Sequence, residues 1–296
     1  MKILLFGKGG QVGWELQRSL APLGELVALD FDSAELCGDF RQPQGLAQTI
    51  QRVRPDVIVN AAAHTAVDKA ESEPDLARTI NALAPAVLAE EARKLGAWLV
   101  HYSTDYVFDG SGSRPWVEGD APQPLNVYGR TKLEGEQMIA QSCERHLIFR
   151  TSWVYGARGG NFAKTMLRLA QERERLTVID DQFGAPTGAD LLADVTAHAV
   201  RQVLRRREDA GVYHLVASGE TSWHGYAKLV IDSAQRLQSA IKIKATSIDP
   251  VPSSEFPTPA RRPHNSRLDT TRVQATFGLR LPPWQQGVER MLTETL

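Results

Sequence analysis

The chain has 296 residues, a formal net charge of −1 at pH 7 and 42% hydrophobic residues. This charge gives no reason to expect a nucleic acid or an anionic membrane as a partner, since both attract basic chains. Two cysteines are too few for a disulfide framework, which is consistent with a reducing compartment, so we expect a cytoplasmic protein. Seven scattered histidines show no metal-ligand spacing.

The N-terminus predicts a strand, a glycine turn and a helix. Residues 3–6 are apolar but too short for a signal-peptide core or a membrane span, and residues 14–20 are helix-like. Between them the glycines follow the spacing G-x-x-G-x-x-G, which favours a tight turn that approaches the pyrophosphate of a dinucleotide at a helix start. The expected cofactor contacts here are Gly7, Gly10, Gln11, Val12 and Gly13.

Three further strand-like runs follow, and each ends in small or polar residues. Ligands of open α/β sheets bind at the carboxyl ends of the strands, where these residues are expected to lie. They are Asp30 after the second strand, Ala63, His64 and Thr65 after the third, and Tyr102 and Thr104 at the fourth.

Helix-like segments alternate with these strands up to residue 150. Such alternation predicts a parallel sheet with helices on both faces. The helices are expected at 43–53, 74–95 and 126–141. We predict a Rossmann-type doubly wound α/β domain over residues 1–150, to which later segments return.

The rhythm changes after residue 150. Residues 151–296 are expected to form mainly a smaller, discontinuous α/β substrate lobe. Helices are expected at 161–173, 188–205, 223–238 and 284–293, a strand at 212–216, and a Pro- and Arg-rich loop at 248–267.

Tyr128 and Lys132 are separated by one helical turn, which places both on the same face. A lysine cation near a phenol lowers the phenol pKa by roughly 1–3 units, toward a value useful for proton transfer. The spacing therefore favours a carbonyl reductase, although a surface helix with a packed tyrosine and a solvated lysine has the same pattern.

Five segments in order resemble the dTDP-4-dehydrorhamnose reductase family of extended short-chain dehydrogenase/reductases, and the resemblance covers essentially the whole chain. The segments are STDYVFDG (103–110), NVYGRTK (126–132), RTSWVY (150–155), DQFGAPT (181–187) and PTPARRPHNSRL (257–268). The resemblance implies reduction of the C4 carbonyl of dTDP-4-dehydro-6-deoxy-L-mannose to dTDP-L-rhamnose, the last step of dTDP-rhamnose biosynthesis, with NADPH or NADH.

The resemblance also implies three catalytic residues. Tyr128 gives its proton to the carbonyl oxygen, Thr104 donates a hydrogen bond to the same oxygen, and Lys132 holds the nicotinamide ribose. Tyr128 and Lys132 are thereby cofactor contacts as well.

The substrate contacts implied by the resemblance are Thr104, Asp105, Trp153 and Arg262. For Trp153, an ordinary core position is the alternative, and Asp105 either contacts the sugar or caps a turn. Arg262 is expected to pair with the pyrophosphate, a role that Arg261 or Arg267 can also fill.

Asp39 and Phe40 match the element that contacts adenine in this superfamily. Asp30 is expected to accept hydrogen bonds from a free ribose 2′-hydroxyl, which favours NADH, while Lys8 offsets its repulsion of a 2′-phosphate. We therefore expect use of both cofactors.

Some family members form homodimers bridged by Mg²⁺. The corresponding positions are Glu15, Asp190 and Glu294, of which Asp190 is one methylene shorter than the usual glutamate. Three unrelated surface acids are the alternative, because Mg²⁺ demands near-ideal octahedral geometry.

Three related functions compete with reduction. Sugar-nucleotide 4,6-dehydratases usually have a glutamate where this chain has Tyr106, which disfavours dehydration. A nucleotide-sugar 4-epimerase uses the same tyrosine and lysine, but the residues around Trp153 and Arg262 do not resemble that family. A non-catalytic NADP-binding regulatory subunit is the third function, and intact Thr104, Tyr128 and Lys132 argue against it.

Overall fold

The computed structural model describes residues 1–237 and 241–296. Its strands are β1 (Lys2–Phe6), β2 (Glu25–Leu29), β3 (Val57–Asn60), β4 (Trp98–Thr104), β5 (His146–Thr151), β6 (Val154–Tyr155), β7 (Arg175–Ile179), β8 (Phe183–Gly184), β9 (Thr187–Gly188), β10 (Gly211–His214), β11 (Thr221–Ser222) and β12 (Ser247–Val251). Six of them form a parallel sheet in the order β2-β1-β3-β4-β5-β10.

Helices cover both faces of this sheet. They are α1 (Gln11–Leu20), α2 (Pro43–Val53), α3 (Val67–Ser72), α4 (Pro74–Arg78), α5 (Ala84–Leu95), α6 (Val127–Ser142), α7 (Phe162–Glu172), α8 (Ala189–Val203), α9 (Trp223–Arg236), α10 (Thr271–Phe277) and α11 (Trp284–Thr295). The doubly wound α/β fold predicted from the alternation of elements is confirmed.

Alternating side chains of β1 supply both halves of the core. Ile3 and Leu5 pack toward α1, α8 and α10, whereas Leu4 and Phe6 pack toward α2, α5 and α6. All four side chains are fully buried. Burial of such a side chain contributes about 1.5–3 kcal/mol, so an apolar run without alternation suits a strand covered on both faces.

The strand order places a crevice beside β1. Because β2 lies on one side of β1 and β3 on the other, the connections leave the sheet in opposite directions there. Ligands of open α/β sheets bind at this point, outside the carboxyl ends of the strands. The loops after β1 and β3 meet there.

The helix predicted at 74–95 is divided into α4 and α5 by a π-helical turn, Thr79–Leu83. Asn81 in this turn is fully buried, and its amide bonds the backbone of His64 in both directions, at 2.8 and 3.1 Å. The wider π-helical turn accommodates this amide, and its two hydrogen bonds hold the helix against the loop after β3.

Helices α7, α9 and α11, which together with β7 and β12 we call the second lobe, surround a separate apolar core that contains Met166, Tyr226, Trp284 and Met291. Strands β7 and β12 form a parallel pair beside it. By contrast, α8 and β10 return to the central sheet. The helix predicted at 223–238 corresponds to α9, which ends at Arg236. Residue 238 lies outside the described residues. Among described helices, none is long and apolar enough to cross a membrane.

Candidate active site

The glycine turn after β1 is held by close backbone contacts. Gly7 has φ +81°, and a Cβ on Gly13 would lie 1.8 Å from the Gly7 carbonyl oxygen. Gly10 immediately precedes α1, so Gln11 and Val12 form its first turn, as expected. Free N–H groups at a helix start favour an anionic ligand such as a pyrophosphate.

Asp30 braces this turn from the end of β2. One carboxylate oxygen accepts the Gly9 N–H at 2.8 Å, and the other accepts the Phe31 N–H at 2.9 Å. The carboxylate thus lies at the crevice, where the sequence placed it, with a structural role in addition to the expected contact with ribose.

Replacing Asp30 with Ala is expected to raise the Kd of NADH more than that of NADPH. Loss of the Gly9 contact weakens both cofactors, whereas loss of the carboxylate removes a ribose acceptor for NADH and a repulsive charge for NADPH. Titrating both cofactors measures the ratio of the two Kd values. An unchanged ratio would mean that Asp30 only stabilises the glycine turn and does not distinguish the two cofactors.

The side chains of Asp39 and Phe40 are used inside the fold. Two nitrogens of Arg41 donate to the Asp39 carboxylate at 2.8 and 2.9 Å, which lowers its pKa to about 2. Phe40 is buried edge-on against Phe6, with ring centroids 5.5 Å apart. These contacts fix the element within the fold, and its expected contact with adenine stays a prediction.

The loop after β3, which contains Ala63, His64 and Thr65, lies beside the glycine turn. A Cβ on Gly7 would come within 2.9 Å of Ala61 and Ala62 backbone atoms. This close approach explains why small residues follow β3, and it keeps this loop at the crevice.

The Tyr102 side chain makes a hydrogen bond within the fold, and its expected contact with the cofactor stays a prediction. Its hydroxyl lies 2.6 Å from the Thr196 hydroxyl on α8, on the face of the sheet covered by α8. Its backbone carbonyl, however, accepts a hydrogen bond from the Lys132 Nζ at 2.6 Å. Tyr102 is thus connected to the site through its backbone.

Tyr128 and Thr104 meet above the carboxyl end of β4. Asn126 caps α6 by accepting the Gly129 N–H at 2.8 Å, which places Tyr128 in the first turn. The Thr104 hydroxyl lies close enough to the Tyr128 phenol to lower its pKa. Two hydroxyls at one point can both donate to a single carbonyl oxygen.

The pKa of Tyr128 is raised to about 12, chiefly because burial disfavours the phenolate, while the Thr104 hydrogen bond lowers it. The Lys132 Nζ instead donates to the Tyr102 carbonyl at 2.6 Å and lies 3.1 Å from His101 Nε2. The expectation that Lys132 lowers the Tyr128 pKa is therefore wrong for this structure. A high pKa keeps the phenol protonated at neutral pH, as an acid requires.

Asp105 is a buried carboxyl group beside Thr104. The Thr104 hydroxyl donates to its Oδ1 at 3.1 Å, and Oδ2 has no partner among the described residues. Burial raises the pKa of Asp105 to about 7. Both roles left open for Asp105, a contact with the sugar and the cap of a turn, stay predictions.

Replacing Asp105 with Asn is expected to abolish a pH dependence of stability. The folded-state pKa lies near 7 and the unfolded-state value near 3.9, so the folded protein binds more protons in that window. The free energy of unfolding therefore falls as pH rises from about 4 to 7, by at most about 4 kcal/mol. Urea denaturation at several pH values measures it. Asp232→Asn, on the exposed side of α9, should keep this fall, and an equal fall in Asp105→Asn would contradict the assignment.

A cavity of about 840 Å³ opens between the sheet and the second lobe. Its lining includes Tyr106, Gln182, Trp223, Arg261 and Arg262.

Arg262 makes a two-pronged ion pair with Asp68 of α3, at 2.7 and 3.0 Å. Arg267 instead pairs with Glu220 at 2.6 Å and covers the Phe183 ring, away from this lining. Of the three arginines considered for the pyrophosphate, Arg261 and Arg262 thus line the cavity, as do Arg173 and Arg175.

The side-chain amide of Asn126 joins α6 to the loop that carries Arg261 and Arg262, the arginine loop. While its Oδ1 caps α6, the Nδ2 of Asn126 donates to the Arg261 carbonyl at 2.7 Å.

Trp153 has φ +50° and stacks on Trp223, with ring centroids 3.7 Å apart. Trp223, which sequence reasoning missed, forms the wall of the cavity. The missed signal is the Thr-Ser-Trp run 221–223, in which Ser222 caps α9 and fixes where its first residue points. Trp153 packs against Trp223, and its expected contact with the sugar stays a prediction.

Glu15, Asp190 and Glu294 line a second cavity of about 380 Å³, so the structure brings these three predicted metal ligands together. Their charges are balanced by arginines: Arg290 lies 3.2 Å from Glu294 and 3.7 Å from Asp190, and Arg18 lies 3.3 Å from Glu15. In residues 1–237 and 241–296, no group of three His, Cys, Asp or Glu side chains is arranged to hold a metal ion. These residues do not fit the Mg²⁺ site expected from the resemblance.

The family model described as RmlD substrate binding domain matches residues 1–296. A relative from Salmonella typhimurium, named dTDP-4-dehydrorhamnose reductase, is 63% identical over 99% of this chain and 98% of its own length. A relative of the same name from Shigella flexneri is 62% identical over the same shares.

Solved structures agree with these sequence matches. A dTDP-4-dehydrorhamnose reductase from Clostridium acetobutylicum superimposes with a TM-score of 0.89 at 34% identity, covering 99% of both chains. One from Bacillus anthracis, solved in complex with NADP, gives 0.88 at 34% identity with the same coverage. The chain therefore belongs to the RmlD family, the family of the dTDP-4-dehydrorhamnose reductases.

Proposed function

We propose that this protein reduces the C4 carbonyl of dTDP-4-dehydro-6-deoxy-L-mannose to dTDP-L-rhamnose, with NADPH or NADH as the hydride donor. The observation that carries the proposal is the placement of the Thr104 hydroxyl beside Tyr128 on a chain related over its full length to reductases of this name. This reduction completes dTDP-rhamnose synthesis. The bound nicotinamide supplies the hydride.

The residues of the site account for the rest of the reaction. Negative charge develops on the carbonyl oxygen as hydride arrives, and the Thr104 and Tyr128 hydroxyls both donate to it. Tyr128, protonated because its pKa is about 12, then transfers its proton to that oxygen. Arg262, held by Asp68, binds the pyrophosphate of the sugar nucleotide in the cavity.

The test is oxidation of NADPH or NADH on addition of enzymatically made dTDP-4-dehydrorhamnose, with the product identified by mass and NMR. Stoichiometric formation of dTDP-L-rhamnose supports the proposal. An epimerised or dehydrated product without net cofactor oxidation would contradict it, and so would cofactor binding without turnover.

We further propose that the protein acts in the cytoplasm as a homodimer. Both cysteines, Cys37 and Cys143, are free, as in a reducing compartment. Trp14 is 46% exposed at the rim of the second cavity and lies under Arg158, at 4.0 Å. An exposed aromatic of this kind is typical of an interface.

Sedimentation is expected to give the same association state in Mg²⁺ and in EDTA. Arg18 and Arg290 already balance the carboxylates of the second cavity, so no cation is required there. Dissociation of the dimer in EDTA would contradict this expectation and support a bridging Mg²⁺ ion. A monomer in both buffers would contradict the homodimer.

A further inference from the structure

A chain of buried polar groups reaches Lys132 from the sheet. Asn60 ends β3 and lies opposite His101 on β4. The Asn60 Nδ2 lies 2.9 Å from His101 Nδ1, and His101 Nε2 lies 3.1 Å from the Lys132 Nζ. Each of the three residues is 1% exposed, so water does not compete for these contacts.

The backbone fixes the direction of this chain. The Ala62 N–H can only donate, and it donates to the Asn60 Oδ1 at 3.0 Å. The Asn60 Nδ2 therefore faces His101 and donates to Nδ1, which must be unprotonated. A neutral imidazole protonated at one nitrogen then carries its hydrogen on Nε2, directed at Lys132.

An N–H directed at Nζ favours the amine of Lys132 over the ammonium, because only the amine has a lone pair to accept it. The Tyr102 carbonyl accepts from either form. Glu136, one turn along α6, favours the ammonium, but its carboxylate is paired with Arg150 of β5 at 2.6 Å. On the other side Tyr128 is neutral.

The electrostatics of the two residues agree with this geometry. Burial lowers the pKa of Lys132 to about 8, and burial together with Lys132 lowers that of His101 well below its usual value. His101 is therefore neutral at physiological pH, as the hydrogen-bond pattern requires.

We propose that Asn60 and His101 are positioning residues that set the proton affinity of Lys132, by holding His101 as the Nε2–H tautomer. The pair brings proton exchange at Lys132 close to neutral pH. Where the inference concerns turnover, it rests on the proposed reductase function, and the pH dependence of proton delivery then follows Lys132.

The tautomer is measured on the parent protein by NMR with ¹⁵N-labelled histidine. His101 is expected to show the Nε2–H form, and its signals are identified by their loss in His101→Gln. His146 and His214 are internal references, because their Nδ1 atoms lie 2.7 and 3.0 Å from carbonyl oxygens and must carry hydrogen. An Nδ1–H form at His101 would overturn the proposal without any substitution at Asn60.

Two variants of Asn60 test the effect on Lys132. Asn60→Asp presents only acceptors to His101 and should reverse the tautomer, while Asn60→Leu removes the constraint without adding charge. In both, the Lys132 pKa, followed by NMR with ¹³C-labelled lysine, should rise by about 1 unit or more. A rise in Asn60→Asp alone would be a charge effect and would overturn the proposal, as would no rise in either.

The pH dependence of enzyme activity gives an independent test of the effect on Lys132. The limb of the pH profile of kcat/KM that belongs to Lys132 should move by the same amount as its titration in both variants. The NMR titrations need no substrate. A parent protein that fails to reduce the keto-sugar would therefore overturn the proposed function while leaving the Asn60–His101 assignment intact.

Discussion

Tyr128→Phe is expected to lower kcat by roughly 10²–10⁴-fold with the fold intact. The substitution removes the proton donor and leaves Thr104 alone to stabilise the developing oxyanion. Steady-state oxidation of NADPH with the keto-sugar nucleotide measures the loss, and circular dichroism checks the fold.

Tyr226→Phe is the matched control for this substitution. The Tyr226 hydroxyl is buried in the second lobe without a hydrogen-bond partner in the described part of the chain. Its removal should therefore leave kcat unchanged. Turnover of Tyr128→Phe within a few-fold of the parent would disprove the assignment of the acid.

Arg262→Ala is expected to raise the KM of the keto-sugar nucleotide by roughly 10–150-fold, with cofactor affinity nearly unchanged. A hydrogen bond to a charged group contributes about 1.5–3 kcal/mol, which corresponds to this range. Arg262 lines the large cavity rather than the glycine turn, so the effect should be confined to the sugar nucleotide. Calorimetric titration with each ligand separates the two.

Arg267→Ala provides the control, because Arg267 comes from the same loop but pairs with Glu220 outside the cavity lining. It should leave the KM unchanged. Unchanged sugar-nucleotide affinity in Arg262→Ala would place Arg262 outside the site. Loss of NADPH binding would mean that it serves the cofactor or the fold, through the now unpaired Asp68.

The central sheet was predictable because its strands are short apolar runs that end in glycine or polar residues. α2 has the predicted bounds, and β1 begins one residue earlier than predicted. The pairing of β7 with β12 was not predictable, because both are short and far apart in sequence. Nor was the π-helical turn at Asn81, which depends on a contact with the loop after β3.

The site was predictable as a set of residues but less so as a geometry. Spacing placed Tyr128 and Lys132 on one helix face, yet it could not show that His101 and the Tyr102 carbonyl hold the lysine. Likewise, the stacking of Trp153 on Trp223 arises from a tertiary contact between distant segments. Local patterns indicate which side chains are available, whereas their partners are set by packing.

Asn126 connects the loop that carries Arg261 to the helix that carries Tyr128. Its amide holds the first turn of α6 with one atom and the Arg261 carbonyl with the other. A displacement of the arginine loop therefore pulls directly on the turn that carries Tyr128. The position of Arg261 and the orientation of Tyr128 thus depend on the same side-chain amide.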